Sequence, residues 1–254
     1  MNMFSRAAIA AFLLVLAAPV GGALAQGGLF DKGQDIMKGL GLGGGSKEGT
    51  SSMLSNADIS SGLVEALKVG TERVVGTLGR TDGFNADKDV HIPLPKTLDR
   101  VKTALAPLGM ASLADDLELR LNRAAEAAVP RAKQLFWDAI SNMTMDDVQK
   151  IYNGPKDAAT QYFKGQMSKP LAKEMSPIVH DEMGKAGAIQ SYDKMMGQYK
   201  TVPFVPDARA NLTEYVVEKG IEGVFFYLAK EEEAIRTNPA KRTTDILKKV
   251  FGAS

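Results

Sequence analysis

The sequence predicts an all-α fold: a single multi-helix domain wrapped around one or two buried central helices. Three observations carry that reading. Apolar residues recur at three- and four-residue spacing over most of the chain beyond Leu54. Residues that start and stop helices bracket several of those stretches. Val224 to Ala229, VFFYLA, is apolar on every side of a helix, the pattern of a segment with neighbours all round. No internal repeat is present, so a solenoid is not expected.

The chain has 254 residues, 44% of them hydrophobic, enough for one large domain with a substantial core. Its 31 Lys and Arg balance 30 Asp and Glu, so no basic surplus argues for nucleic acid as a partner. The absence of cysteine excludes disulfides, thiol catalysis and thiolate metal sites. Two histidines, His91 and His180, leave little for a metal centre or a catalytic triad, and neither a metal nor another cofactor is expected.

Residues 1–25 have the layout of a secretory signal peptide. Arg6 precedes the apolar run Ala7 to Ala18, and Ala23-Leu24-Ala25 offers a cleavage site before Gln26. The run is too short for the roughly 20 residues of a spanning helix, and Pro19 ends it. Cleavage after Ala25 removes one basic and no acidic residue and sends the mature protein to a periplasm, with no transmembrane segment of its own. Residues 26–53 are rich in Gly and Ser and read as a flexible linker. A GxGxxG match at Gly39, Gly41 and Gly44 follows no strand and opens no helix, so it lacks the geometry that cradles phosphate.

Residues 54–254 read as the helical domain. Ser55 to Asp58 is a capping-box start with Asp in place of Glu, followed by Ile59, Leu63, Leu67 and Val74, and Gly79 is placed to end that helix. Arg80 to Pro95 is irregular, with a possible extended piece at Val90 to Leu94. Helical periodicity then predicts Pro95 to Leu105, Leu113 to Ala128, Arg131 to Ile140, Met145 to Tyr152, Pro155 to Gly165, Lys169 to Lys185, Ile189 to Tyr199 and Asp207 to Ile235. A last helix is expected to start at Asn238-Pro239, an N-cap with proline at the first helical position, and to close with Lys248, Lys249 and Gly252.

Several motifs in the same order carry a family resemblance: HIPLPKTL from His91, LELRLNRAAEAA from Leu117, LFWDAISNMTMDD from Leu135, NGPKDAATQYF from Asn153, FYLAKEEEAIR from Phe226 and NPAKRTTDILKKVFG from Asn238. Over about four fifths of its length, Leu54 to Gly252, the chain resembles the bacterial domain of unknown function 4197 family. That resemblance implies an exported helical protein, often a lipoprotein, with no established activity. This chain departs from it in having no lipid-acceptor cysteine.

Few residues suggest chemistry. Aligned as an EF-hand, Asn85, Asp87 and Asp89 would take positions one, three and five, but Val90 stands where Gly is needed and Lys96 where a bidentate Glu is needed. His180-Asp181-Glu182 point in different directions on a helix and cannot converge on one metal. On Leu113 to Ala128, the stripe Leu113, Leu117, Leu121, Ala124 and Ala128 faces inward with Leu119 opposite. Glu118, Asn122 and Glu126 form a polar row along one flank, and Arg123 lies beside it. That row is a structural network, a solvated face, or, with Glu118, Asn122 and Arg123, the lining of an internal ligand-binding cleft. Arg242 either holds an anion or pairs with a carboxylate such as Glu232 or Glu233 and pins the last helix. Methionines such as Met167, Met175, Met183 and Met195 read as core filling, and they could also line an apolar ligand site.

The favoured function is a non-enzymatic exported protein that binds an apolar small molecule or a cell-envelope protein. The alternative is a carboxylate-based hydrolase or lyase, with Glu118 and either Asp115 or Glu126 as acid and base in an internal cleft.

Overall fold

The structure, a computed structural model, describes residues 54–203 and 210–252. The expected signal peptide and linker lie outside the described residues. Within them the chain forms eight α-helices and two short 3-10 turns, with no strand.

Helix α1, Asn56–Leu78, begins where Ser55 and Asp58 cap each other: the Ser55 hydroxyl accepts the Asp58 N–H at 3.1 Å and the Asp58 carboxylate accepts the Ser55 N–H at 3.2 Å. It ends at Gly79, where a Cβ would sit 2.9 Å from Pro130 Cγ, so only glycine lets α3 pass this close. Then follow α2, Lys96–Leu105, and α3, Ser112–Ser141. Helix α4, Met145–Tyr152, has its own capping box between Thr144 and Asp147. The remaining helices are α5, Ala158–Lys185, α6, Ala188–Tyr199, α7, Leu212–Thr237, and α8, Asp245–Gly252.

Helix α3 is the hub. It packs against α1, α2, α5, α6 and α7, while α7 also lies against α1 and α5, and α8 closes over α1. The inward stripe predicted on α3 is present: Leu117, Leu121 and Ala124 are fully buried and Leu119 is exposed on the far side. Each leucine so buried contributes about 1.5–3 kcal/mol. None of the helices among the described residues is long and apolar enough to cross a membrane.

Four expectations need correction. The predicted pairs of helices around residues 128–131 and 165–169 are single helices, α3 and α5, which run through Pro130, Pro170 and Pro177. A proline inside a helix costs about 3 kcal/mol, yet the apolar stripe of α5 (Ala159, Phe163, Met167, Leu171, Met175, Val179, Met183) keeps four-residue spacing straight past both of its prolines. Burying that stripe outweighs the lost backbone bonds. The final helix does not start at Asn238, whose side chain instead caps the 3-10 turn Pro239–Lys241; α8 starts at Asp245. The segment VFFYLA is not surrounded: Val224, Phe225 and Leu228 are buried, but Phe226 is 39% exposed. Its ring is covered instead by the Lys230 ammonium, 4.2 Å from the ring centroid.

Candidate functional site

Between α1 and α2 the chain crosses α3 without regular structure, yet it buries Phe84, Val90, Ile92 and Leu94. Backbone that goes inside must find hydrogen-bond partners other than a helix or sheet ladder. The polar row on α3 supplies them. Glu126, only 3% exposed, accepts the N–H groups of Phe84 and Asn85, each at 3.0 Å. Asn122, fully buried, accepts the Ile92 N–H at 2.9 Å and donates to the Ile92 carbonyl at 2.8 Å, pairing with that residue as a neighbouring strand would. Glu118 accepts the Leu94 N–H at 3.1 Å on one oxygen and faces His91 Nε2 at 2.9 Å with the other. The other ring nitrogen of His91, Nδ1, lies 2.9 Å from the Asn85 carbonyl.

Arg123 completes the row. Its guanidinium donates to Glu126 and to Asp82, each at 2.7 Å. Asp82 is at φ 65°, a left-handed conformation that aspartate tolerates better than most residues. The Asn85 amide and then Arg123 hold the Asp82 carboxyl below the usual carboxylate range. From the other side α7 grips the same segment: Tyr215 donates to the Pro93 carbonyl at 3.0 Å, Lys230 to Asp89 at 2.9 Å, and the Tyr227 hydroxyl to Asp87. That last bond, together with burial, pushes the Tyr227 hydroxyl up to about 12. Gly223 brings α7 against the segment, since a Cβ there would lie 2.8 Å from the Phe84 ring.

The structure therefore brings Glu118, Asn122 and Arg123 together, with Glu126 and His91 added, and fills the space they face with the chain's own residues 82–94. Arg242 is not among them. It sits beyond the C-terminal end of α7 and donates to the carbonyls of Ile235 at 3.0 Å and Arg236 at 2.8 Å. The expected pairing with Glu232 or Glu233 is replaced: Glu232 pairs with Arg236 and Glu233 with Lys156. The terminal carbonyls of α7 need donors more than Glu232 needs a further cation. His180 is exposed on α5 with Thr213 Oγ1 3.3 Å from its Nδ1. Asp87 and Asp89 spend their carboxylates on Tyr227 and Lys230, and no group of three or more metal-ligating side chains converges among the described residues.

Two small interior spaces lie among the described residues. One, about 30 Å³, lies between α1, α5, α7 and α8; the other, about 20 Å³, lies between α3, α5 and α7. On the surface, an open groove of about 340 Å³ separates His91 and Pro93 from Lys219, Glu222 and Phe226.

The family model described as Protein of unknown function (DUF4197) matches residues 53–252. The chain belongs to this family. No curated protein and no solved structure matches it. Every contact of the polar row falls inside the DUF4197 span. Sequence reasoning found the row but missed that His91 completes it. It also missed the buried pair Glu232–Arg236, whose partners lie on α4 and α5. The four-residue spacing of Glu118, Asn122 and Glu126 was the one available signal; nothing local to Glu232 marks it out from Glu231 and Glu233.

Proposed function

We propose that this chain is an exported, non-enzymatic binding protein of the cell envelope that engages a protein partner at its surface. One observation carries the reading: the buried polar side chains of α3 are all committed to the chain's own backbone. Acid–base catalysis needs a pair of groups free to exchange protons with a substrate. Here Glu118 and Glu126 accept main-chain N–H groups, and both ring nitrogens of His91 face acceptors. The carboxylate hydrolase reading draws no support from this geometry.

The interior also disfavours an enclosed apolar ligand. Spaces of about 30 and 20 Å³ hold a water or a methyl group, whereas small-molecule pockets run to roughly 300–1,000 Å³. Of the methionines that suggested a ligand surface, Met167, Met175, Met183, Met195 and Met196 are buried in the core, whereas Met143 is half-buried and Met145 exposed. A protein partner fits the exposed aromatic Phe226 and the groove beside it better than a lipid in the interior does.

Native mass spectrometry of the full chain, exported and purified without detergent, tests both parts. The expected result is a bare mass for the chain cleaved after Ala25. A discrete added mass that extracts into organic solvent would replace the partner reading with carriage of an apolar molecule. A photo-crosslinking residue at Phe226 is expected to yield one discrete protein adduct in cells; its absence counts against this face.

A further inference from the structure

A broad, open groove of about 1080 Å³ lies where α3, α5 and α7 meet, and it shares no lining residue with the groove beside Phe226. Arg131 of α3 and Lys173 and Ser176 of α5 line it. Arg131 and Lys173 are exposed and Ser176 is half-buried, and none of the three makes a hydrogen bond or ion pair among the described residues. Most of the described arginines are committed otherwise. Arg73, Arg120, Arg123, Arg236 and Arg242 all spend guanidinium N–H groups on carboxylates or main-chain carbonyls.

The groove also has two carboxylates, and both are held at its other end. Lys185 bonds Asp181 at 2.7 Å and Glu182 at 3.0 Å. Asp181 follows Lys173 by eight residues of one helix, about 12 Å along its axis at 1.5 Å per residue. That exceeds the screening length of about 8 Å at physiological salt. The acidic end therefore does little to neutralise Lys173. Glu174 is the next residue on α5 but does not line the groove.

A guanidinium offers a fork of N–H donors that fits a phosphoryl group, and an ammonium adds a point charge. Two uncommitted cations and a free hydroxyl suit a group with several acceptor oxygens and nearly two negative charges. A phosphate monoester has both near neutral pH, whereas a carboxylate carries a single charge. We propose that this groove binds a small phosphate monoester, with Arg131 and Lys173 as its charge contacts and Ser176 as a neutral donor. The monoester belongs to a soluble polyol or sugar phosphate or to the headgroup of a phosphatidic acid; the chemistry at the groove is the same. Both cations are open to solvent, so binding is weak, with a dissociation constant on the order of a millimolar, and falls with added salt.

The full chain is titrated with glycerol 3-phosphate, and separately with phosphatidylcholine vesicles containing phosphatidic acid. Acetate and plain phosphatidylcholine vesicles at matched ionic strength are the comparisons. Saturable amide shifts centred on Arg131 and Lys173 to Ser176 are expected with glycerol 3-phosphate, and none with acetate. Sedimentation with the phosphatidic acid vesicles alone, without a response to glycerol 3-phosphate, keeps the groove and assigns the monoester to a lipid. Arg131→Gln and Lys173→Gln break no bond within the fold, so their melting curves should match the unaltered protein. Each is expected to weaken binding about tenfold, the worth of one charged hydrogen bond. Arg100→Gln removes an exposed and equally unbonded charge from α2 and should leave binding within about twofold. No saturable response to either probe, an equal response to acetate, or an equal loss in Arg100→Gln overturns the proposal.

Discussion

Two largely buried glutamate side chains solve the same problem on two of the long helices. Glu126 on α3 accepts two successive main-chain N–H groups, Phe84 and Asn85, and is charge-paired with Arg123. Glu232 on α7 accepts the successive N–H groups of Ala159 and Thr160 and is paired with Arg236. Arg236 goes on to donate to the Ile151 and Tyr152 carbonyls at the end of α4, so one ion pair satisfies the end of one helix and the start of the next. The difference lies in what is being held. Glu126 fastens irregular backbone that has no other way to be buried, whereas Glu232 caps the start of a regular helix. The same chemistry is therefore a condition of folding in one place and a trim in the other.

That contrast is tested most strongly by removing each carboxylate. Glu126→Ala strands the buried Phe84 N–H and the neighbouring Asn85 N–H, while Arg123 keeps Asp82, and is expected to cost about 3–5 kcal/mol. Glu232→Ala frees two N–H groups of a helix start while Arg236 keeps its bonds to the Ile151 and Tyr152 carbonyls, and should cost less, about 2–3 kcal/mol. Chemical denaturation of both variants measures the order, and equal or reversed losses would break the distinction. Next comes Arg242→Ala, which removes two bonds to part-buried carbonyls at the end of α7 and is expected to cost about 1–2 kcal/mol; unchanged thermal stability would show that Arg242 does not tie this end together.

Packing offers a matched pair of smaller effects. Around Glu126 the space is full, and Gly223→Ala, driving a methyl into Phe84, should destabilise by about 1–2 kcal/mol. Beside Glu232 there is room: Gly70 lines the 30 Å³ space with no atom nearer than 3.9 Å to a new Cβ, so Gly70→Ala should stabilise by about 0.5–1 kcal/mol. Melting curves of the two variants should move in opposite directions.

The smallest effects are in pH. Lys249, then Ser55, hold the Asp58 carboxyl down from 3.8 to about 2, joining the start of α1 to α8. A folded-state value below the unfolded one means stability present above 3.8 and lost as pH falls toward 2, read as faster exchange in the first turn of α1. Tyr227 runs the other way. Its proton, held on the bond to Asp87 until about 12 against an ordinary 10.0, stabilises the loop below 10 and is lost above it. Ultraviolet absorbance of the phenolate should show Tyr227 among the late-titrating tyrosines, with Tyr162 and Tyr215, and Asp87→Asn should bring Tyr227 back.

Much of this was legible in the residues, and the misses have a pattern. The capping box at Ser55 and Asp58, the stop at Gly79 and the inward stripe of α3 depend on residues within a turn or two of each other, so local rules read them correctly. The breaks expected around residues 128–131 and 165–169 failed because a local penalty was set against burial along whole helices, which a short window does not weigh. Phe226 was placed in the interior because six apolar residues in a row imply neighbours all round, and α7 has neighbours on only part of its circumference.

The α3 row shows where the division falls. Its four-residue spacing put Glu118, Asn122 and Glu126 on one flank from the sequence alone, because side-chain direction on a helix follows from 3.6 residues per turn. Whether that flank met solvent, a ligand or the protein's own backbone depended on where residues 82–94 crossed. That crossing is set by burial of Phe84, Ile92 and Leu94 against helices distant in the chain, a sum of contacts that no local spacing records.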